Sequence, residues 1–398
     1  MSLSQVLVRG DCVETMRAMP EASIDAVVCD PPYGLEFMGK DWDAPWKDAR
    51  TDKRGIVDPK AWGGKQDGNG GNAYSRSRVR TAASHYGGNP AEVGAQFGAW
   101  CRTWAAEALR VLKPGGYLLA FGGTRTYHRL AVAIEDAGLE IRDCLSWQYG
   151  SGFPKSLNLP GGLGTALKPA WEPIVVARKP LERTVAANVL KHGTGAMNID
   201  GCRIESGGEH MVKGVVTKRS AVAGDERTAS AAGMYAAGAS FTPTNHPGGR
   251  WPANVLLSCP PDCDGNAHAP GCPCAALDVQ SGGDGASRYF NRLPIEAEDL
   301  VPFIYAAKAS RKEKNAGLPE GTTCPHPTVK PRSVMQHLVR LCCSKGGTVL
   351  DPFMGSGTTG VACVLEGMNF IGIDLSKEYV ETATARITHA GGSPEVLS

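Results

Sequence analysis

Asp351-Pro352-Phe353-Met354-Gly355-Ser356-Gly357-Thr358-Thr359-Gly360 is the stretch that decides the fold. Residues 348–351 form a short, largely apolar run and residues 357–366 suit a helix, so the segment reads as strand, tight turn and helix start. Gly355, Gly357 and Gly360 fit a G-x-G-x-x-G spacing, and Asp374 ends the next strand seventeen residues beyond Gly357. Glycines there allow a tight turn and close approach of a ligand to the backbone, while the acid accepts hydrogen bonds from ribose hydroxyls. No Gly-Lys-Ser/Thr occurs, so the loop is not a P-loop. The glycine pattern alone leaves open a dinucleotide or another adenosine-containing cofactor.

The alternation continues outward from this junction. Residues 369–374 read as a strand and 377–387 as a final helix. Upstream, Pro331 starts a helix carrying Val334, Leu338 and Leu341, which Gly346-Gly347 ends. At the other end of the chain, residues 6–8 are a short strand that stops at Gly10-Asp11, with a helix-like stretch after it. Residues 25–29 form a second strand that runs into Asp30-Pro31-Pro32-Tyr33, where two prolines stop it and leave Asp30 at its carboxyl end. A helix over 97–112, a strand over 117–121, a helix over 126–137 and a strand over 139–149 complete the pattern. Such alternation predicts an α/β fold with an open, mostly parallel sheet.

Two stretches break the period. Residues 36–98 are rich in Gly, Asn, Asp and Trp and read as a long mobile loop. Residues 180–299, with small, polar and glycine-rich stretches such as 221–240, read as a separate module with few helices. Residues 1–179 and 300–398 are then two halves of one sheet domain flanking an insert.

The composition agrees with these breaks. Fifty glycines and 27 prolines in 398 residues demand long loops. A net charge of +2 excludes a tail-driven polybasic binder, and no apolar run of about 18 residues is present to span a membrane. The first twelve residues lack a charged-then-apolar leader, which predicts a cytoplasmic protein. Thirteen cysteines in such a chain favour thiols or a metal over a disulfide framework.

Asp30-Pro31-Pro32-Tyr33 carries the most distinctive chemistry. Prolines have no N–H, so their carbonyls remain acceptors beside the Asp30 carboxylate. Two acceptors in one cleft match an exocyclic amine with its two N–H donors, and Tyr33 offers a flat face to a planar base. An aromatic amine is a poor nucleophile because its lone pair is delocalised. Accepting both N–H groups favours a pyramidal nitrogen, which can attack a sulfonium methyl in line without a metal or a covalent enzyme intermediate.

Together these motifs resemble the β class of DNA amino-methyltransferases, in which Asp-Pro-Pro-Tyr precedes the cofactor loop. The resemblance covers both outer portions of the chain and implies a Rossmann-like, mostly parallel methyltransferase sheet with an inserted target-recognition module. It implies S-adenosylmethionine as cofactor, held by Asp351, Phe353, Gly355, Gly357 and Thr358 of the loop. His326, Thr328 and Lys330 of His326-Pro-Thr-Val-Lys330-Pro331 resemble the segment at the cofactor's methionine end, with Lys330 the candidate for its carboxylate. Asp11 resembles the acid near the adenine, and Asp374 the ribose-binding acid. Asp30 and the Pro31 carbonyl would bind the target amine, with Pro32 and Tyr33 completing the catalytic motif. Residues 149–155 and 167–174 are similar to segments flanking the active site. The implied reaction is methylation of adenine N6 on a base flipped out of double-stranded DNA, with cytosine N4 as the alternative. A nucleotide-dependent oxidoreductase and a DNA-binding protein with idle catalysis are more distant readings. A second copy of the chain and a cognate restriction nuclease are further partners that the resemblance leaves open.

The neutral total conceals opposed patches. Residues 50–80 hold eight Lys/Arg against three Asp/Glu, residues 301–345 eight against two, and residues 351–398 two against six. The first two are candidate phosphate-binding surfaces. Cys259, Cys263, Cys272 and Cys274 fall within sixteen residues, with His268 between them, a set suited to a tetrahedral structural zinc.

Overall fold

The computed structural model describes residues 3–34, 90–149, 158–204, 249–259, 263, 272–281, 286–294, 311–319 and 321–397. Ten strands form one sheet. They are β1 (Gln5–Arg9), β2 (Ile24–Cys29), β3 (Leu112–Phe121), β4 (Glu140–Gln148), β5 (Trp171–Arg178), β6 (Val255–Cys259), β7 (Asn291–Pro294), β8 (Thr348–Asp351), β9 (Asn369–Asp374) and β10 (Pro394–Leu397). Their order across the sheet is β10-β1-β9-β8-β2-β3-β5-β4-β6-β7. Every pairing in it is parallel except the two made by β5, which lies antiparallel between β3 and β4.

Period-two alternation divides the apolar side chains between two faces. Ala26, Val28, Leu119 and Phe121 face a core shared with Val334, Leu338 and Val339 of helix α7 (Arg332–Cys342) and Val361 of helix α8 (Thr358–Glu366). Val27, Cys29, Leu118 and Ala120 face the other core, built with Trp104 of helix α2 (Pro90–Val111) and with Leu130 and Ile134 of helix α3 (Tyr127–Asp136). Helix α1 (Cys12–Ala18) follows β1, helices α5 (Pro273–Gln280) and α6 (Arg311–Asn315) precede α7 in the chain, and helix α9 (Lys377–His389) follows β9. Among the described residues, no helix is long and apolar enough to cross a membrane.

Connectivity defines a crevice. From β8 the chain passes through α8 to β9 on one side, whereas β2 is followed by β3 on the other. The order of connection therefore reverses between the parallel strands β8 and β2, and ligands of open α/β sheets bind at the carboxyl ends of the strands at such a point.

The structure departs from expectation in three places. Helix α2 begins at Pro90, so the last residues of the expected 36–98 loop are helical. Strand β5 is absent from the alternation read from sequence, because its Ile174-Val175-Val176-Ala177 run follows Trp171-Glu172-Pro173 and breaks the helix–strand order. The described part of 180–299 is continuous with the main sheet: β6 pairs with β4, β7 pairs with β6, and helix α4 (Val185–His192) packs against β3. Residues 36–89 and 221–240 lie outside the described residues.

Candidate active site

Four acidic residues stand side by side at the carboxyl ends of four neighbouring strands: Asp11 after β1, Asp374 on β9, Asp351 on β8 and Asp30 after β2. The sheet register fixes this row, with Arg9 opposite Asp374 and Asp351 opposite Gly372.

Three of these acids organise backbone. Asp11 is the N-cap of α1, its Oδ1 accepting from the amides of Val13 and Glu14 at 2.9 and 3.0 Å. Asp351 is buried; Oδ1 accepts from the Phe353 amide at 3.0 Å and Oδ2 from the Thr359 hydroxyl at 2.5 Å. Asp374 pins the glycine loop, accepting from the Gly355 amide at 2.9 Å and the Ser376 amide at 2.8 Å. Burial pushes the Asp351 carboxyl up to about 7 and that of Asp374 up to about 6, because desolvation outweighs the hydrogen bonds each accepts.

Glycine is required in the loop for two reasons. Gly355 and Gly357 have φ of 51° and 77°, the left-handed region. A Cβ on Gly355 would also lie 2.7 Å from His326 Nε2, and one on Gly357 2.7 Å from Ala383 Cβ. Phe353 anchors the turn in the core, edge-on to Trp104. Arg386 of α9, which sequence reading missed, braces the loop from beneath. Its Nη1 donates to the Ser356 carbonyl at 2.7 Å, the Ser356 hydroxyl at 2.9 Å and the Thr358 hydroxyl at 3.0 Å. The available signal was an arginine beside Val380, Ala383 and Ile387 on the buried face of α9.

Asp30 is placed differently. Its Oδ2 accepts from Lys330 Nζ at 2.5 Å, but its Oδ1 is buried and takes no hydrogen bond among the described residues. Lys330 is only 4% exposed. Its ammonium also donates to the Tyr33 hydroxyl at 3.0 Å and lies 3.3 Å from Glu172 Oε2 and 4.6 Å from the Phe121 ring centre. The Tyr33 hydroxyl in turn donates to Glu172 Oε2 at 2.8 Å, and Tyr149 donates to Glu172 Oε1 at 3.5 Å. Burial disfavours a charged lysine, yet the two carboxylates prevail and hold the Lys330 ammonium above its ordinary range. Burial and the same carboxylates raise Tyr33 well above its ordinary value, so its hydroxyl stays a donor. The Thr126 hydroxyl donates to the Tyr33 carbonyl at 2.7 Å and steadies the turn.

Two points add to the sequence expectation. The Lys330 ammonium, the candidate for the cofactor carboxylate, contacts Asp30, Tyr33 and Glu172. Glu172 went unassigned, although a carboxylate opening the apolar run of β5 was the signal. The segment around His326 bridges two parts of the site. His326 packs edge-on to Tyr379 at 4.7 Å and abuts Gly355, while Lys330 reaches Asp30. Thr328 donates its amide to His326 Nδ1 at 3.4 Å. The segment thus ties the glycine loop to the Asp30 turn.

The structural-zinc expectation is not supported. Cys272 and Cys274 are buried with Leu257, and Cys263 packs at the edge of that apolar cluster. Among the described residues, no group of three or more His, Cys, Asp or Glu side chains could hold a metal ion. The Cys259 side chain and His268 lie outside the described residues. Residues 50–80 lie outside them too. Within 301–345, Lys330 is buried and Arg340 makes a paired contact with Glu366 at 2.6 and 2.8 Å, so neither is a spare surface cation.

A glycine loop at the switch point, one strand away from the buried Asp30, Lys330, Tyr33 and Glu172 cluster, defines an open α/β protein with a candidate site at the carboxyl ends of β8 and β2. The chain belongs to the N6/N4 DNA methylase family, whose profile matches residues 24–385. It is 26% identical over 208 residues to the type II methyltransferase M.HindIII of Haemophilus influenzae, covering 47% of this chain and 63% of that protein. It is 45% identical over 62 residues to the type II methyltransferase M2.DpnII of Streptococcus pneumoniae, covering 16% and 23%. The chain thus spans less than two thirds of the length of these curated relatives. Among solved structures, a DNA modification methylase from Thermus thermophilus in complex with S-adenosyl-L-methionine aligns over 99% of this chain and 98% of its own, at 16% identity and a TM-score of 0.45.

Proposed function

We propose that this protein is a site-specific DNA methyltransferase that transfers a methyl group from S-adenosylmethionine to the exocyclic amine of a base flipped out of duplex DNA. The observation that carries the reading is the buried Asp30 Oδ1, an acceptor that finds no donor among the described residues. Such an atom costs stability unless a ligand supplies the missing hydrogen bond. An exocyclic amine supplies that donor.

The loop suits the cofactor on physical grounds. Positive-φ glycines keep Cβ atoms out of the cradle beside His326, and the row of acids suits a cationic ligand. When bound, S-adenosylmethionine supplies an electrophilic methyl on a positively charged sulfur. In this reading Gly355 and Gly357 admit the cofactor to the backbone, and Asp374 and Asp11 border its ribose and adenine. Asp351, Phe353 and Thr358 shape the loop, and His326 and Thr328 line the methionine end. Asp30 Oδ1 accepts one amine N–H, the Pro31 carbonyl accepts the other, Pro32 holds the turn, and Tyr33 stacks against the base. The residues of 180–299 serve target recognition.

Adenine N6 is the preferred target, because the Asp-Pro-Pro-Tyr form resembles the adenine members of the class. The test is incubation of duplex DNA with methyl-labelled cofactor, followed by digestion to nucleosides. N6-methyldeoxyadenosine is the expected product. N4-methyldeoxycytidine would revise the base but keep the chemistry, and absence of label in DNA would overturn the reading.

A further inference from the structure

Resting on the methyltransferase reading, we propose that Glu172 is a positioning residue for the transfer, a counter-charge that keeps the Asp30 pocket anionic despite the lysine buried in it. Asp30 and Lys330 alone would form a neutral pair with a contact of 2.5 Å. Glu172, 3.3 Å from the same ammonium and 6% exposed, makes Lys330 a cation shared by two carboxylates among the described residues.

That surplus matters because of what transfer does to the amine. The nitrogen lone pair forms the new N–CH3 bond while the S–CH3 bond breaks and its electron pair returns to sulfur. The positive charge therefore moves from sulfur to the base nitrogen, which must then lose one N–H proton. Asp30 Oδ1 is the buried acceptor within the pocket for that proton. A neutral Asp30–Lys330 pair would favour both changes less, since its ammonium offsets the attraction of the carboxylate for the charge arriving on the base nitrogen. An anionic cluster favours them, and fixed charges act strongly in a site closed to water. Glu172 also holds the geometry, because the Tyr33 and Tyr149 hydroxyls both donate to it. It acts through Lys330 and Tyr33 and does not itself touch the amine.

The charge role and the scaffold role separate by substitution. Glu172→Gln keeps an acceptor oxygen for Tyr33 and removes only the charge. Lys330→Met/Glu172→Gln restores the original net charge by removing one of each sign. Single-turnover methyl transfer to DNA, cofactor binding by calorimetry and thermal melting would be measured for wild type and both variants. We expect Glu172→Gln to melt and bind S-adenosylmethionine like wild type yet transfer more slowly by about tenfold to a hundredfold. The double variant should transfer faster than Glu172→Gln, a non-additive recovery expected of neighbouring charges. Wild-type transfer rates in Glu172→Gln, or a double variant slower than the single one, would overturn the proposal while leaving the methyltransferase reading intact. No transfer by the wild type would overturn the reading and the proposal together.

Discussion

Asp351 and Asp30 end adjacent parallel strands, yet the fold treats them in opposite ways. Both oxygens of Asp351 are used by its own loop, through the Phe353 amide and the Thr359 hydroxyl. Asp30 gives one oxygen to Lys330 and leaves the other buried without a partner among the described residues. The same residue type in the same topological place is a building element in one case and, in the proposed reading, a reactive group in the other. What separates them is whether the local chain satisfies the carboxylate or leaves part of it for a ligand.

The strongest way to break this contrast begins with substitution at the open carboxylate. Asp30→Asn should lower methyl transfer by about a thousandfold or more, in line with loss of an essential proton acceptor. Its melting temperature should stay near that of wild type, because Lys330 keeps Glu172. Gly357→Ala should lower stability by about 1–3 kcal/mol, measured by urea unfolding, because its φ of 77° is strained for alanine and Ala383 occupies the space. Arg386→Met should cost about 2 kcal/mol in the same assay by releasing the Ser356 and Thr358 contacts, and should weaken cofactor binding.

A separate prediction concerns pH. Burial raises the Asp351 carboxyl from 3.8 to about 7, so the folded chain holds its proton more tightly than the unfolded chain. Stability from this group is therefore greatest at low pH and declines as pH rises from about 4 to about 7. Urea midpoints compared at pH 5 and pH 8 should show a smaller drop in Asp351→Asn than in wild type. An equal drop would contradict the role given to Asp351 burial.

Much of this was legible in the sequence because it is local. The glycine spacing, the proline pair after β2 and the strand–helix alternation are each set by a few consecutive residues. The row of acids followed once the strands were placed, since each acid ends or follows a strand. Glu172 and Arg386 were not legible as site residues, because their partners lie 139 and 30 residues away in the chain. Lys330 was found by motif, but its partner at Asp30 is 300 residues distant. Strand β5 was missed because an antiparallel insertion breaks the order on which the reading relied. The cysteine cluster could not be read to the same depth: Cys272 and Cys274 pack with Leu257 and Cys263, while the Cys259 side chain and His268 lie outside the described residues.

The central claim is that the Asp30 pocket receives an exocyclic amine. Base-resolution mapping of modified nucleotides in DNA from cells lacking other methylases, after expression of this protein, tests it most directly. The predicted result is an N-methylated exocyclic amine, on adenine first, within one short recurring sequence, and none in cells expressing Asp30→Asn. Unmodified DNA, methylation on a ring carbon, or equal modification by Asp30→Asn would contradict it.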